Sequence, residues 1–482
     1  MSTEYEKREK QENIRDVSAS EKVSGKNRER AVRIRERAEK IRSRIVEDRR
    51  VLHQDPEIGM DLPRTSAYIC KCLDEMGISW KMCGGPLLRK MTEDYMAAGF
   101  PRMERATGVT AVIGSGSPCI LLRADMDALP VKEENELSFR SCSGTGHMCG
   151  HDSHAAMLLG AARILKDMEG ELKGSVKLMF QPGEETGAGA RVMVENGVLE
   201  NPKVDAALGL HVQTVEETGT AGYAAGVNSA SLDSFILKIH GKGGHSSQPQ
   251  LCVDPLMIMN QVYQAVNLLV TRETDPAAMV ALTCGVAKGG TAVNIIPEEA
   301  ELHIGVRTLD VAAANHLNRR IPELIDHYVK AWGGTYDLTV FHTPCTYTDE
   351  KLCRELVPYI GMITGEEKVH QIPPMTGTED FGYVTENVPG MFVFIGAGAP
   401  GNAPLHSPHM VLDEDVLPVG AAVYAMAAVS WLEEHGTGKE DAYDEPYREK
   451  TERISHASCI YHPSRDHAVC RCALVPDPQR NL

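Results

Sequence analysis

The feature that most constrains the fold is a change of rhythm halfway along the chain. Up to about residue 228, short apolar runs rich in β-branched residues alternate with longer runs of helical period. "GVTAVIGSG", "CILLRADMDALP", "GSVKLMFQPGEE" and "VDAALGLHV" read as buried strands, while "RTSAYICKCLDEMG", "AAMLLGAARILKDM" and "GARVMVENGV" read as helices. Such alternation predicts an α/β domain built on a mostly parallel sheet. From residue 229 the order becomes strand (SFILKIHG), helix (DPLMIMNQVYQAVNLLVTR), strand (MVALTCGVAKG), strand (AELHIGVRTL), helix (ANHLNRRIPELIDHYVKAW), strand (YDLTVFH). That is the βαββαβ, ferredoxin-like arrangement. The first pattern resumes with "MFVFIGAG" and the long helix "LPVGAAVYAMAAVSWLEE". The expectation is a catalytic domain over 31–228 and 345–435, interrupted by a ferredoxin-like domain over 229–344.

A chain of 482 residues is long enough for two or three domains and a large core. Its net charge of −17 argues against nucleic-acid and anionic-membrane partners. The charge is uneven: residues 1–50 hold 16 Lys/Arg against 11 Asp/Glu, a net of +5 that leaves −22 for the remainder. Residues 1–30 have almost no apolar side chains and read as a solvated charged tail. A helix then begins near Arg30, with Ile34, Ala38, Ile41 and Ile45 at helical spacing. Residues 436–482 lose periodicity, and the spacing of Cys459, Cys470 and Cys472 there matches no zinc pattern, so they read as an irregular tail. No apolar run of about 18 residues predicts a membrane span, and the N-terminus has no apolar signal core. With an odd number of cysteines, 13, reduced thiols in a cytoplasm are expected.

The chemistry centres on "GTGHMCGHDSH", residues 144–154, which packs His147, Cys149, His151, Asp152 and His154 together. Metal binding is one reading; a histidine-rich polar loop is the other. Metal ligands in an α/β enzyme come from strand ends, where loops converge on one face. Four such places supply donors: Cys149 and His151, the pair Glu184-Glu185, His211, and "PLHSPH" with His406 and His409. Adjacent residues at a strand end point different ways. One glutamate can therefore bind metal while the other faces substrate as a base, taking a proton from a water acidified to a pKa of about 7. Surface Glu-Glu pairs are common; this one follows a buried strand and precedes a glycine-rich turn. A lone cysteine is usually a small core residue, but the backbone freedom of Gly150 would let Cys149 and His151 both turn inward. A nucleophilic Cys149–His pair is a rival, and it leaves Glu185, His211 and His406 without a role. His53 reads as a packing residue of the first helix.

Nine motifs carry a resemblance: "RRVLHQDPEIG", "LRADMDALP", "HMCGHDSHAAMLLGAA", "FQPGEETGAGARVMVENG", "GLHV", "GKGGHSSQP", "GGTAVNIIPEEAELHIGVRT", "GTEDF" and "LHSPHM". In this order they resemble the aminoacylase/carboxypeptidase family of co-catalytic metallopeptidases, in its amidohydrolase branch of hippurate, indole-3-acetyl-amino acid and aminobenzoyl-glutamate hydrolases. The resemblance implies that Cys149, His151, Glu185, His211 and His406 ligate two metals, with the Cys149 thiolate bridging. It implies Glu184 as general acid/base and Asp127 as the residue orienting the ligands. His245 and Asn294 fall in the inserted domain, which in this family dimerises and closes over substrate; His245 would help hold the oxyanion, in the partner's site. Arg307 is a candidate for gripping a substrate carboxylate. Without the resemblance, His245 reads as a turn histidine and Arg307 as an edge-strand surface charge. His147 and His154 flank the ligand loop, and His409 is not a ligand because the family's position matches His406. Three departures stand out: Asp125-Met126-Asp127 replaces the His-x-Asp of other branches, Gly183 stands before the glutamates where many relatives have Ala, and Leu405 replaces a histidine. Residues 86–108 are longer than the usual connection, and either line the pocket or decorate the surface.

The reading is a metal-dependent amidohydrolase acting on N-acyl or N-aroyl amino acids, or short peptide-like amides, with a free carboxylate. Two divalent ions are implied, zinc or manganese first and cobalt or nickel next, in a homodimer formed through the inserted domain. The alternatives are a Cys149-dependent thiol hydrolase and a non-catalytic binding protein on the same fold.

Overall fold

Eight strands form the larger sheet, in the order Trp80–Met82, Val109–Gly114, Ser175–Gln181, Cys119–Asp125, Ala206–Glu217, Gly390–Gly398, Ala221–Tyr223, Val369–Gln371. They are seen in a computed structural model that describes residues 25–97 and 99–436. The four central strands, from Ser175–Gln181 to Gly390–Gly398, run parallel. Antiparallel neighbours flank them on either side. Central strands buried on both faces must be apolar throughout, and "CILLRAD" and "SVKLMFQ" are buried at every position. The helices Gly25–Lys40, Arg42–Gln54, Pro63–Glu75, His151–Asp167, Glu350–Thr364 and Val416–His435 cover one face, while Gly189–Glu195 and Gly382–Thr385 cover the other. Val416–His435 is long and apolar enough to cross a membrane, contrary to the expectation that no such segment exists, yet it lies almost wholly inside the protein.

The charged N-terminal helix starts earlier than expected, at Gly25, within the stretch read as a tail. Arg30 is buried and pairs with Glu433, and Ala31, Ile34 and Ala38 dock into the core. The helix is also not continuous. Ile41 leaves helical geometry at φ −101°, ψ 8°, and the redirected chain brings Ile45 and Leu52 into the same core. The remaining residues of the expected tails, 1–24 and 437–482, with Cys459, Cys470 and Cys472, lie outside the described residues.

The second sheet is antiparallel, in the order Val280–Gly289, Glu299–Thr308, Ser231–His240, Thr335–Thr343. Its elements follow the βαββαβ order. Helices Pro255–Arg272 and Val311–Ala331 pack on one face over Phe235, Leu237, Ile239, Ile304 and Val306. Both helices start at an aspartate that accepts backbone N–H groups: Asp254 from Leu256 at 2.9 Å, and Asp310 from Ala313 at 2.8 Å. The strand Ser231–His240 alternates buried with half-exposed positions, so its other face is open.

Candidate metal centre and active site

The carboxyl ends of the parallel strands bring the expected donors together. Asp125 ends the strand Cys119–Asp125, with Asp127 two residues on. Glu184 and Glu185 follow Ser175–Gln181, His211 lies in Ala206–Glu217, and His406 follows Gly390–Gly398. Helix His151–Asp167 presents His151 in its first turn, directly after Cys149 and Gly150. The Cys149 Sγ lies 3.4 Å from His211 Nε2 and 3.3 Å from His406 Nε2, which is itself 3.3 Å from Glu185 Oε1. Sulfur and nitrogen ligands at about 2.3 and 2.0–2.1 Å from one tetrahedral ion sit about 3.3–3.6 Å apart, so these spacings suit a common metal. Among the described residues five trios have donor atoms within 4.8 Å of one another, and two of them contain Cys149: Cys149–His151–His211 and Cys149–Glu185–His406. They share the Cys149 sulfur.

Hydrogen bonds fix which ring nitrogens are free. His151 Nδ1 donates to Asp127 Oδ1 at 3.2 Å, while its Nε2 is buried and, among the described residues, makes no hydrogen bond. A buried polar atom left so is costly and marks a place for a ligand. Asp127 also accepts the backbone N–H groups of Glu184 and Glu185, both at 3.1 Å, so one carboxylate orients an imidazole and the glutamate turn together. His154 is spoken for: Nδ1 donates to Asp125 at 2.6 Å and Nε2 accepts from the Val212 N–H at 3.0 Å. His406 adopts φ +67°, a left-handed backbone unusual for a histidine and typical of strain kept at functional sites. One thiol, three imidazoles and a carboxylate on a rigid frame fit a pair of divalent cations.

Comparison with known proteins accords with this geometry. The model of "Peptidase family M20/M25/M40" matches residues 121–430. The chain belongs to the M20/M25/M40 peptidase family. Among similar proteins are the IAA-amino acid hydrolase ILR1-like 4 of Arabidopsis thaliana, 36% identical over 80% of this chain and 84% of its own, and the N-acetyl-L-cysteine deacetylase of Bacillus subtilis, 35% identical over 77% and 83%. A dinuclear metal-binding M20 peptidase from Bacillus subtilis has a similar structure, with TM-score 0.63 and 30% identity, covering 82% of this chain and 99% of that one. A putative aminohydrolase from methicillin-resistant Staphylococcus aureus gives TM-score 0.72 at 29% identity, covering 83% and 99%. As an M20 peptidase, the protein is an enzyme that acts on amide bonds.

The M20 site holds one element that the sequence analysis left without a role. Arg123, fully buried, donates to Gln181 at 2.8 Å, Asp125 at 2.8 Å, Glu379 at 2.8 Å and Asp380 at 3.1 Å. Glu379 and Asp380 come from "GTEDF", and their carboxylates lie within 4.8 Å of Glu184. Burial, followed by the nearby carboxylates of Glu379, Glu185 and Asp380, pushes Glu184 well above the usual carboxylate range. Asp380 is pushed up to about 8 by burial and Glu379, against the opposing pull of Arg123. Burial would raise Glu185 too, but His406 and His151 hold it low. Burial, then His154, pushes His211 well below its ordinary value, which keeps it a neutral donor. Hydrogen bonds to Cys149 and Glu185 raise His406 to about 10.

Residues expected from the second sheet do not join this cluster within the chain. His245 is exposed on the short strand Gly244–His245 and Asn294 is exposed in the turn just before its partner strand Ile295–Ile296, and His245 is bonded locally, accepting from Ser247 Oγ at 2.8 Å. Arg307 donates to Thr378 Oγ1 at 2.6 Å, tying the second sheet to the loop that leads into Glu379. His53 is more than packing. It bridges Asp152 at 2.9 Å and Glu133 at 3.1 Å, beneath the ligand helix. His147 is buried beside it and stays outside the ligand trios.

Proposed function

We propose that this M20 enzyme hydrolyses the amide bond of N-acyl or N-aroyl amino acids, with Cys149, His151, Glu185, His211 and His406 holding two divalent cations, zinc or manganese. The observation that carries this reading is the meeting of the two trios at one sulfur. Relatives named for indole-acetyl and N-acetyl amino acid substrates support the substrate class, and the dinuclear peptidase supports the metal count. The cations would supply Lewis-acid polarisation of the scissile carbonyl and a water of lowered pKa. Glu184 takes the proton of the attacking water and passes it to the leaving amine. Asp127 keeps Glu184 and His151 in register. His245, with Asn294 beside it, serves the oxyanion of a second copy's site, in a homodimer made through the second sheet. That sheet's exposed edge strand Val280–Gly289 and the exposed Tyr263 and Leu268 of its first helix favour such an assembly. Arg307 is the candidate for the substrate carboxylate.

The test is a panel of N-acyl and N-aroyl amino acids, read by mass spectrometry before and after chelation and with manganese restored. Amine release that is lost on chelation and returns with metal is expected. Full activity after exhaustive chelation, with a trapped acyl-cysteine, would instead make Cys149 the nucleophile.

A further inference from the structure

The turn that carries Glu184 and Glu185 is clasped from two sides. It is flanked by Gly183 (φ +69°) and Gly187 (φ +70°), backbone geometry that only glycine adopts freely. Space is equally short. A Cβ on Gly183 would stand 2.6 Å from Met60 Cγ, and one on Gly187 would stand 2.6 Å from Thr343 Oγ1. Thr343, at the end of a second-sheet strand, also donates to the Gly187 carbonyl at 2.9 Å. The turn is thus pressed between Met60 on one side and the second sheet on the other.

Residues 85–108 connect those two jaws. The Met60 N–H donates to Met103 Sδ at 3.0 Å, and the Met60 carbonyl accepts from the Thr107 N–H at 3.0 Å. Helix Arg89–Ala97 turns Tyr95 inward, where its ring centre lies 5.4 Å from that of Phe341 on the second sheet. Thr339 of the same strand donates to Asp94 at 3.4 Å. Tyr95 and Met103 are 3% and 1% exposed and pack with Met60, Ala188 and Val192. A surface decoration would not bury its large side chains against both the turn and the sheet.

We propose that residues 85–108 form a brace that sets the glutamate turn against the second sheet, making Tyr95 and Met103 positioning residues for Glu184. This rests on Glu184 being the general acid/base. Displacing a reacting group by about 1 Å can cost up to about a hundredfold in rate, and a clasp that acts through the placement of Glu184 loses kcat.

The test compares the metal-loaded full chain with Tyr95→Ala, Tyr95→Phe and Thr343→Val, following hydrogen exchange, bound metal, kcat and KM on an N-acyl amino acid. In Tyr95→Ala, exchange quickens together in residues 183–188 and 335–343, and kcat falls about tenfold with KM and metal content held. Tyr95→Phe, which keeps the ring and loses only the hydroxyl's contact with Thr186 of the turn, restores most of both. Thr343→Val, nearly isosteric, quickens the same two segments with a smaller loss of kcat, and it carries the test should Tyr95→Ala fail to accumulate. Quicker exchange confined to 85–108, or a kcat unchanged in both Tyr95→Ala and Thr343→Val, overturns the brace. A parent protein inactive on every amide sinks the proposed function instead, while the exchange measurements still decide the brace.

Discussion

The histidines of the larger sheet and the histidine at the tip of the second sheet live under opposite conditions. His151 is fully buried and His211 nearly so, each with one ring nitrogen pinned, by Asp127 or the Val212 carbonyl, and the buried His154 beside them has both nitrogens engaged. His245 is exposed and braced only by its neighbour Ser247. The difference teaches where preorganisation is built in. Most ligands hold their geometry before anything arrives, buried and fixed from behind, while His406 is exposed and is set by Cys149 and Glu185. In the proposed dimer, His245 gains its environment only on assembly.

Four experiments break or sharpen this contrast, taken from the largest effect down. Glu184→Gln keeps the shape of the buried site but cannot shuttle a proton. Turnover is expected to fall on the order of a thousandfold with both metals retained, checked by steady-state kinetics beside metal analysis. His245→Ala should cost about a hundredfold in kcat at unchanged metal content. Mixing its subunits with those of Glu184→Gln should regain activity, because one site of the mixed dimer then has both residues; no recovery would mean that His245 serves its own chain. Asp127→Ala frees His151 and the glutamate turn, and metal affinity is expected to drop about ten- to a hundredfold in competition with a chelator.

The fourth experiment leaves chemistry aside and probes the buried frame. Burial opposes the His53 cation, but Asp152 and Glu133 win and hold its pKa at about 9, above its ordinary 6.5. The folded state therefore binds this proton more tightly than the unfolded chain. The stabilisation, up to about 3 kcal/mol, is complete below pH 6.5 and fades as the pH rises through 9. Denaturant titrations of the parent and His53→Gln should differ most near pH 6 and converge above pH 9.

Strands are legible in the sequence where they are buried on both faces, because "CILLRAD" and "MFVFIGAG" have no polar face to confuse them. The three-residue strands Trp80–Met82, Ala221–Tyr223 and Val369–Gln371 escape notice, since three residues show no periodicity. Helix Glu350–Thr364 carries Pro358 inside it, a signal that ordinarily argues against a helix. At the site, the five proposed ligands and Glu184 stand out through residue types that solvent-facing loops seldom combine, and the fold brings them together. Glu379 and Asp380 do not stand out, because two consecutive acids look like surface. Only their place before a buried Phe381, opposite the buried Arg123, shows otherwise.

The topology also sets an order of assembly during synthesis. The second sheet is closed by residues 231–343, a continuous stretch that can pair with itself as soon as it emerges. The larger sheet has no such independence: Ala206–Glu217 waits for Gly390–Gly398, and the core beneath waits longer still for Val416–His435. Until that last helix leaves the ribosome, the apolar strands have only part of their cover, from the helices that precede residue 168, and partly covered apolar surface is what invites misassembly.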